Sequence, residues 1–234
     1  MTGAALLIHG LSSSPGGWWR VRAHLEAAGW PVSTVPLLGH DGRGAAASYT
    51  LEAYVADAFR PGPHDLVIGH SLGGSIATVL AARDPGWARR LVLLDPVWHV
   101  PAADLPAVAA DQAGELDWTT EALRAAKPHW DERDIASKVE AVGRVDPGAV
   151  RRTFAEATSW DLRDQAAAIR TPTLVLGGDP AVYTMLEPAD AAAAAAASGT
   201  IDYIAIPGAG HSPHRDRPEA TLAALDTWLA RTPG

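Results

Sequence analysis

The sequence predicts an α/β fold: a mostly parallel, doubly wound sheet of about six strands, with a helical cap inserted over one edge. Two observations carry that prediction. Short runs rich in Val, Ile and Leu alternate with longer stretches of helical character, as expected where strands are buried on both faces and covered by helices. The alternation breaks once, between residues 98 and 170, where polar and amphipathic helical stretches punctuated by Pro and Gly replace it.

Taken in order, the first strand is expected at Ala4–Ile8 and ends on His9-Gly10. A Ser-rich loop, Leu11–Gly17, leads into a helix over Trp18–Ala28 and a second strand over Val32–Leu37. A helix near Leu51–Phe59 precedes the strand Asp65–Ile68, the helix Leu72–Arg83 and the strand Leu91–Leu94. After the insertion come the strand Thr173–Leu176, a helix over Pro188–Ala197, the strand Ile201–Ile206 and a closing helix over Glu219–Ala230. The Ala191–Ala197 run is low in complexity, but Ala is the best helix former, and no function is assigned to it. Residues 1–97 and 171–234 therefore form the core and 98–170 the cap.

Composition narrows the function classes. With 47% hydrophobic and 20% charged residues, the chain reads as an ordinary globular domain. A net charge of −8 without any basic run argues against a nucleic-acid partner, which would need clustered Lys and Arg. The absence of Cys removes disulfides, thiolate nucleophiles and Cys-based zinc sites. The start lacks the basic residues and longer apolar stretch of a secretory signal, and no apolar run approaches the roughly 20 residues of a membrane span. A cytoplasmic monomer or homodimer without membrane contact is expected.

The most informative segment is Leu66–Ala77, which contains Gly69-His70-Ser71-Leu72-Gly73 directly after a strand and directly before a helix. In that setting Gly-x-Ser-x-Gly has a mechanism. A sharp strand-to-helix turn lifts the serine hydroxyl above the sheet, and the helix N-terminus beneath it offers free N–H groups and a positive dipole end. Gly69 and Gly73 leave room for the turn. Ser71 is the candidate nucleophile. Its base has to reach it from a loop at the carboxyl end of the sheet. Of the nine histidines, His211 alone follows the last strand in a Gly-rich turn, Gly208-Ala209-Gly210, with His214 as the alternative.

Three segments, His9-Gly10-Leu11, Gly69–Gly73 and Gly208–Ser212, make the chain resemble the α/β-hydrolase superfamily over nearly its whole length. The order nucleophile first, histidine last agrees with that resemblance. Members with a longer N-terminus begin with two extra antiparallel strands, so a trimmed sheet of about six is implied here. The resemblance also implies an oxyanion hole made by the backbone N–H groups of Leu11 and Leu72, and a cleft rim shaped by Gly39–Gly44.

The acid that orients His211 has two candidates. Asp95 ends a strand in Leu94-Asp95-Pro96, from which a minority of the superfamily draws its acid. Asp179 follows the next strand, where most members place theirs. The usual Gly-x-x-Asp spacing, counted from Gly178, nevertheless falls on Ala181. Asp95 is placed first and Asp179 second.

These parts imply a serine hydrolase acting on a small apolar carboxylic ester or lactone through an acyl-enzyme, with no metal or other cofactor. The same machinery serves amide and carbon–carbon bond hydrolysis, and a receptor-like protein that binds without turnover is the alternative from another class. Candidate substrate contacts are His9, Gly10, His70, Trp98, Trp118 and Trp130. The last three and Trp160 are four of the nine tryptophans, and packing between cap helices competes with any role in the cleft. Arg215–Glu219 is assigned to anchoring the last helix.

Overall fold

In the computed structural model, which describes residues 3–232, six parallel strands form one sheet. They are β1 (Ala5–Ile8), β2 (Val32–Val35), β3 (Leu66–His70), β4 (Leu91–Leu94), β7 (Thr173–Gly177) and β8 (Ile201–Ala205), in the order β2-β1-β3-β4-β7-β8. The register aligns Ala5 with Val32 and Leu66, Val67 with Leu91, and Thr173 with both Leu91 and Ile201. Because every pair is parallel, all the carboxyl ends lie along one edge, and the loops after β1, β3, β4, β7 and β8 meet there.

The strand pattern sorts the core into two layers. Leu6, Ile8, Val67, Leu91, Leu93 and Val175 face one side, packing with residues of α2 (Leu51–Ala58), α3 (Leu72–Arg83), α8 (Arg163–Ala168) and α9 (Pro188–Ser198). Their neighbours Ala5, Leu7, Leu66, Ile68, Val92, Leu94, Leu174 and Leu176 face the other side, against α1 (Trp19–Ala27) and α11 (Pro218–Arg231). Successive side chains of a strand point to opposite faces, so a continuous apolar run is what a strand covered on both sides requires. Helix α3 is buried from Leu72 to Ala81, which explains why it carries no polar face. Helix α9 buries only Ala191 and Ala194 and ends on Gly199, whose φ of 71° suits a residue without Cβ.

Between β4 and β7 the chain forms α4 (Leu105–Gly114), α5 (Thr120–Ala126), α6 (Glu132–Arg144) and α7 (Pro147–Arg152). The expectation that 98–170 holds no strand is corrected at its two ends. There β5 (His99–Val100) pairs antiparallel with β6 (Trp160–Asp161), and Leu162 N–H donates to Trp98 O at 2.6 Å. Two-residue strands have no period to read, and this pair forms because the outgoing and returning chains lie side by side. Within the segment, Leu123, Trp130 and Ile135 make a small apolar cluster of their own. Among the described residues no helix is long and apolar enough to cross a membrane.

Candidate active site

Ser71 sits at the junction of β3 and α3 with φ 52° and ψ −120°, a backbone conformation that costs a non-glycine residue roughly 1–3 kcal/mol. It persists because its surroundings determine it. Ser71 N–H donates to Leu94 O at 3.0 Å, and the Ser75 hydroxyl donates to Val97 O at 2.8 Å, tying the first turn of α3 to the end of β4. The two motif glycines are set by close approach: a Cβ on Gly69 would lie 2.5 Å from Gly73 O, and one on Gly73 would lie 2.1 Å from Ile8 O.

His211 bridges Ser71 and a carboxylate. Its Nε2 accepts from the Ser71 hydroxyl at 2.8 Å, and its Nδ1–H donates to Asp95 Oδ2 at 2.5 Å. Asp95 is fully buried and has φ 43°, directly after β4. Its carboxylate also accepts from Gly178 N–H at 2.9 Å, Met185 N–H at 2.9 Å and the Thr184 hydroxyl at 2.5 Å. Four donors compensate the buried charge and hold its orientation.

Asp179 is placed differently. It accepts from Gly208 N–H at 2.8 Å and Ala181 N–H at 2.9 Å, and these bonds hold its carboxyl below the usual range. It braces the turn that leads to His211 from outside and makes no bond to the imidazole. His214 stacks on Trp18 with ring centroids 5.0 Å apart, and burial pushes its pKa well down.

The N–H of Leu72 opens α3 and has no acceptor within the helix. Gly10 brings the other backbone segment against Ser71, since a Cβ there would lie 3.0 Å from Ser71 Cβ. Among the described residues, the N–H groups of Leu11 and Leu72 have no protein acceptor.

The other expected contacts divide. His70, Trp118 and Trp130 line a cavity of about 230 Å³ that Ser71 and His211 open into. His70 Nε2–H donates to the backbone O of His211 at 2.8 Å, which fixes the His211 loop from behind. Burial and the neighbouring His214 and His211 keep its pKa well below the ordinary value. Trp98, by contrast, belongs to the core: it is fully buried, and its indole N–H donates to Thr78 Oγ1 at 2.9 Å. His9 is buried beneath the cleft, where Nδ1–H donates to Gly10 O at 2.8 Å and Nε2 accepts from Leu37 N–H at 3.3 Å. The Gly39–Gly44 loop docks on α6 and the start of α7 instead of the cavity, through Gly42 N–H to Arg144 O and Asp146 N–H to Gly39 O.

The lining also corrects the expectation of an apolar pocket. Leu11, Trp118, Leu123, Trp130 and Tyr183 supply apolar surface, but Asp111, Glu115, Lys127, Lys138 and Arg215 share it. Lys138 Nζ, itself buried, donates to Glu115 Oε2 at 2.6 Å, to Ser12 Oγ at 2.6 Å and to Ser12 O at 3.1 Å. Arg215 reaches the cavity, while Asp216 accepts from Gly210 N–H, Ser212 N–H and the Trp130 indole N–H. That carboxylate ties the histidine loop to the insertion. Sequence reading assigned this stretch to anchoring the last helix. A clustered Arg-Asp-Arg beside the histidine motif was the available signal. Lys138 carried none, since it is one of many charged residues on α6, and Glu115 carried none, since it follows α4 in a short acidic turn. Among the described residues no group of three or more His, Cys, Asp or Glu side chains is arranged to hold a metal ion.

Known proteins agree with this architecture. Lipase LipV of Mycobacterium tuberculosis is 39% identical over 97 residues, covering 39% of this chain and 36% of the lipase. A pimeloyl-[acyl-carrier protein] methyl ester esterase of Aromatoleum aromaticum is 43% identical over 91 residues, 38% of this chain and 35% of that protein. The matched stretch thus spans little more than a third of either relative. Among solved structures, E-2-(acetamidomethylene)succinate hydrolase superposes with a TM-score of 0.80 at 20% identity, covering 98% of this chain and 93% of its own. The enol-lactonase of Burkholderia xenovorans gives 0.75 at 22% identity, covering 99% and 92%. These likenesses concern the fold. The model of the alpha/beta hydrolase family matches residues 5–225, from the first strand into the last helix. With that match nearly end to end, the chain belongs to the alpha/beta hydrolase family.

Proposed function

We propose that this chain is a serine hydrolase that cleaves a small carboxylic ester or lactone through an acyl-enzyme on Ser71. The observation that carries the reading is the continuous line from the Ser71 hydroxyl through His211 to buried Asp95, at 2.8 and 2.5 Å, beside a cavity of about 230 Å³. His211 takes the proton as Ser71 Oγ attacks the acyl carbon, and Asp95 stabilises the imidazolium that results. The oxyanion draws the N–H groups of Leu11 and Leu72. Collapse of the tetrahedral intermediate expels the alcohol, which receives the proton from His211. Water then attacks the acyl-enzyme with His211 again as base, releasing the acid and restoring the serine.

Residues 98–170 act as a cap in this reading, since α4 and α6 and the stretch between them contribute Asp111, Glu115, Trp118, Trp130 and Lys138 to the cavity containing Ser71. The lipase and methyl ester esterase relatives support ester substrates, and a lactone presents the same acyl carbon to the same nucleophile. The test is hydrolysis of a panel of aryl esters and lactones by the wild type and Ser71→Ala. Turnover that disappears in the variant is expected. Equal turnover by both proteins would overturn the reading.

A further inference from the structure

Of the two buried cations that line the cavity, Lys138 is ion-paired with Glu115, whereas Arg215 has no carboxylate within ion-pair distance among the described residues. Its side chain lines the cavity that Ser71 and His211 open into, yet the residue is only 5% exposed. Nε is buried without a hydrogen-bond partner, and the one side-chain bond of the guanidinium runs from Nη2 to Ser13 Oγ at 3.3 Å. The group lies 5.1 Å from the centre of the Trp130 ring. Gly17 leaves it room, because a Cβ there would approach Nη2 to 2.3 Å.

The nearby carboxylates are engaged elsewhere. Asp216 holds Gly210, Ser212, Trp130 and His129; Asp134 accepts from the Trp19 indole and Arg20; Glu115 is paired with Lys138. Arginine stays protonated even where burial disfavours its charge, as it does here. A desolvated guanidinium without an anion is unfavourable, so an anionic partner entering the cavity would gain by pairing with it. The lining holds three cations, Lys127, Lys138 and Arg215, and two carboxylates, Asp111 and Glu115, so it carries one net positive charge, and Arg215 is its buried cation without an ion pair. A single carboxylate matches that charge and the planar fork of the guanidinium, whereas a phosphate monoester brings nearly two charges.

We propose that Arg215 anchors a substrate carboxylate, so that the preferred ester or lactone is one that carries a free carboxylate in the same small molecule. This rests on the serine-hydrolase reading above and narrows its substrate class to compounds such as half-esters of short dicarboxylic acids.

The test compares kcat/KM for monomethyl esters of the malonate-to-adipate series with the corresponding dimethyl esters, in the wild type, Arg215→Gln and Arg215→Lys. For at least one chain length the wild type should favour the half-ester by about tenfold or more, the range of a charge-assisted hydrogen bond. That ratio should fall to about one in Arg215→Gln and be partly retained in Arg215→Lys. A merely structural role would lower both rates and leave the ratio. In parallel, the free dicarboxylates should raise the Tm of Ser71→Ala but not of Ser71→Ala/Arg215→Gln. A wild type with no half-ester preference, or a preference that survives in Arg215→Gln, would overturn the proposal. If no ester is turned over, the hydrolase reading fails and the melting experiment alone decides the anion site. If Arg215→Gln does not fold, the wild-type ratio and the Arg215→Lys arm of both measurements decide it.

Discussion

His211 and Asp95, separated by 116 residues in sequence, meet at 2.5 Å between Nδ1 and Oδ2, and this contact puts the carboxylate that the sequence reading placed first, not Asp179, beside the imidazole. The choice follows from strand order. Strand β4 lies between β3, which carries Ser71, and β7, which leads to Asp179. The end of β4 is therefore nearer Ser71, and the loop after β8 folds back over it. Asp95→Asn should lower kcat by about 10⁴-fold, the loss expected when a base is left in the wrong tautomer. Asp179→Asn should cost far less, about tenfold or under, through looser placement of the Gly208 turn. Steady-state kinetics of the two variants separate these outcomes, and a larger loss in Asp179→Asn would reverse the assignment.

Trp98 anchors the start of the insertion to α3 and takes no part in the cavity. Thr78 accepts its indole N–H at 2.9 Å and donates to Gly74 O at 2.8 Å. Thr78→Val leaves the buried N–H unsatisfied, at a cost of about 1–3 kcal/mol. Urea unfolding should show that loss with KM unchanged. A shift in KM without loss of stability would return Trp98 to the substrate pocket.

The Lys138–Glu115 pair joins the insertion internally and, through Ser12, to the loop after β1. Removing one partner strands the other. Lys138→Met should destabilise the protein by about 1–3 kcal/mol, less than a fully buried pair because the Glu115 side chain is 29% exposed. Adding Glu115→Gln should recover part of that loss, so that the two effects are not additive. Strict additivity in denaturation midpoints would show that the pair is energetically silent.

Acid should weaken the fold through buried histidines. Burial, with His40 close by, pushes His9 down to about 3; burial, reinforced by Lys138, pushes His40 down to about 4. In the unfolded chain both titrate near 6.5. Below that pH the unfolded state binds protons the folded state refuses, so stability is highest above about 6.5. It falls as pH drops below about 6.5, down to about 4 for His40 and about 3 for His9, by up to about 1.4 kcal/mol per pH unit for each group. Urea midpoints at pH 7.5, 6 and 5 should decline in that order, and His40→Gln should flatten the slope. A midpoint independent of pH over this range would contradict the assigned neutral state.

The sequence by itself determined the six-strand α/β core, Ser71 at the strand–helix turn and His211 in the final Gly-rich loop. These are local features: apolar runs of strand length, a Gly-x-Ser-x-Gly between strand and helix, and glycines around a histidine are written in consecutive residues. Even the two-sided burial of β1 and β7 is legible in Ala5–Ile8 and in Leu174-Val175-Leu176, because each residue of those runs faces one helical layer or the other. Only the tertiary structure set Asp95 and not Asp179 against His211, moved Trp98 and His9 into the interior and brought Arg215 and Lys138 to the cavity. Those outcomes depend on which strand lies beside which and on where an insertion of helices comes to rest. Side chains far apart in sequence become partners only through that packing. A lone Asp, Trp or Arg looks the same in sequence whether its neighbours satisfy it or leave it facing a cavity.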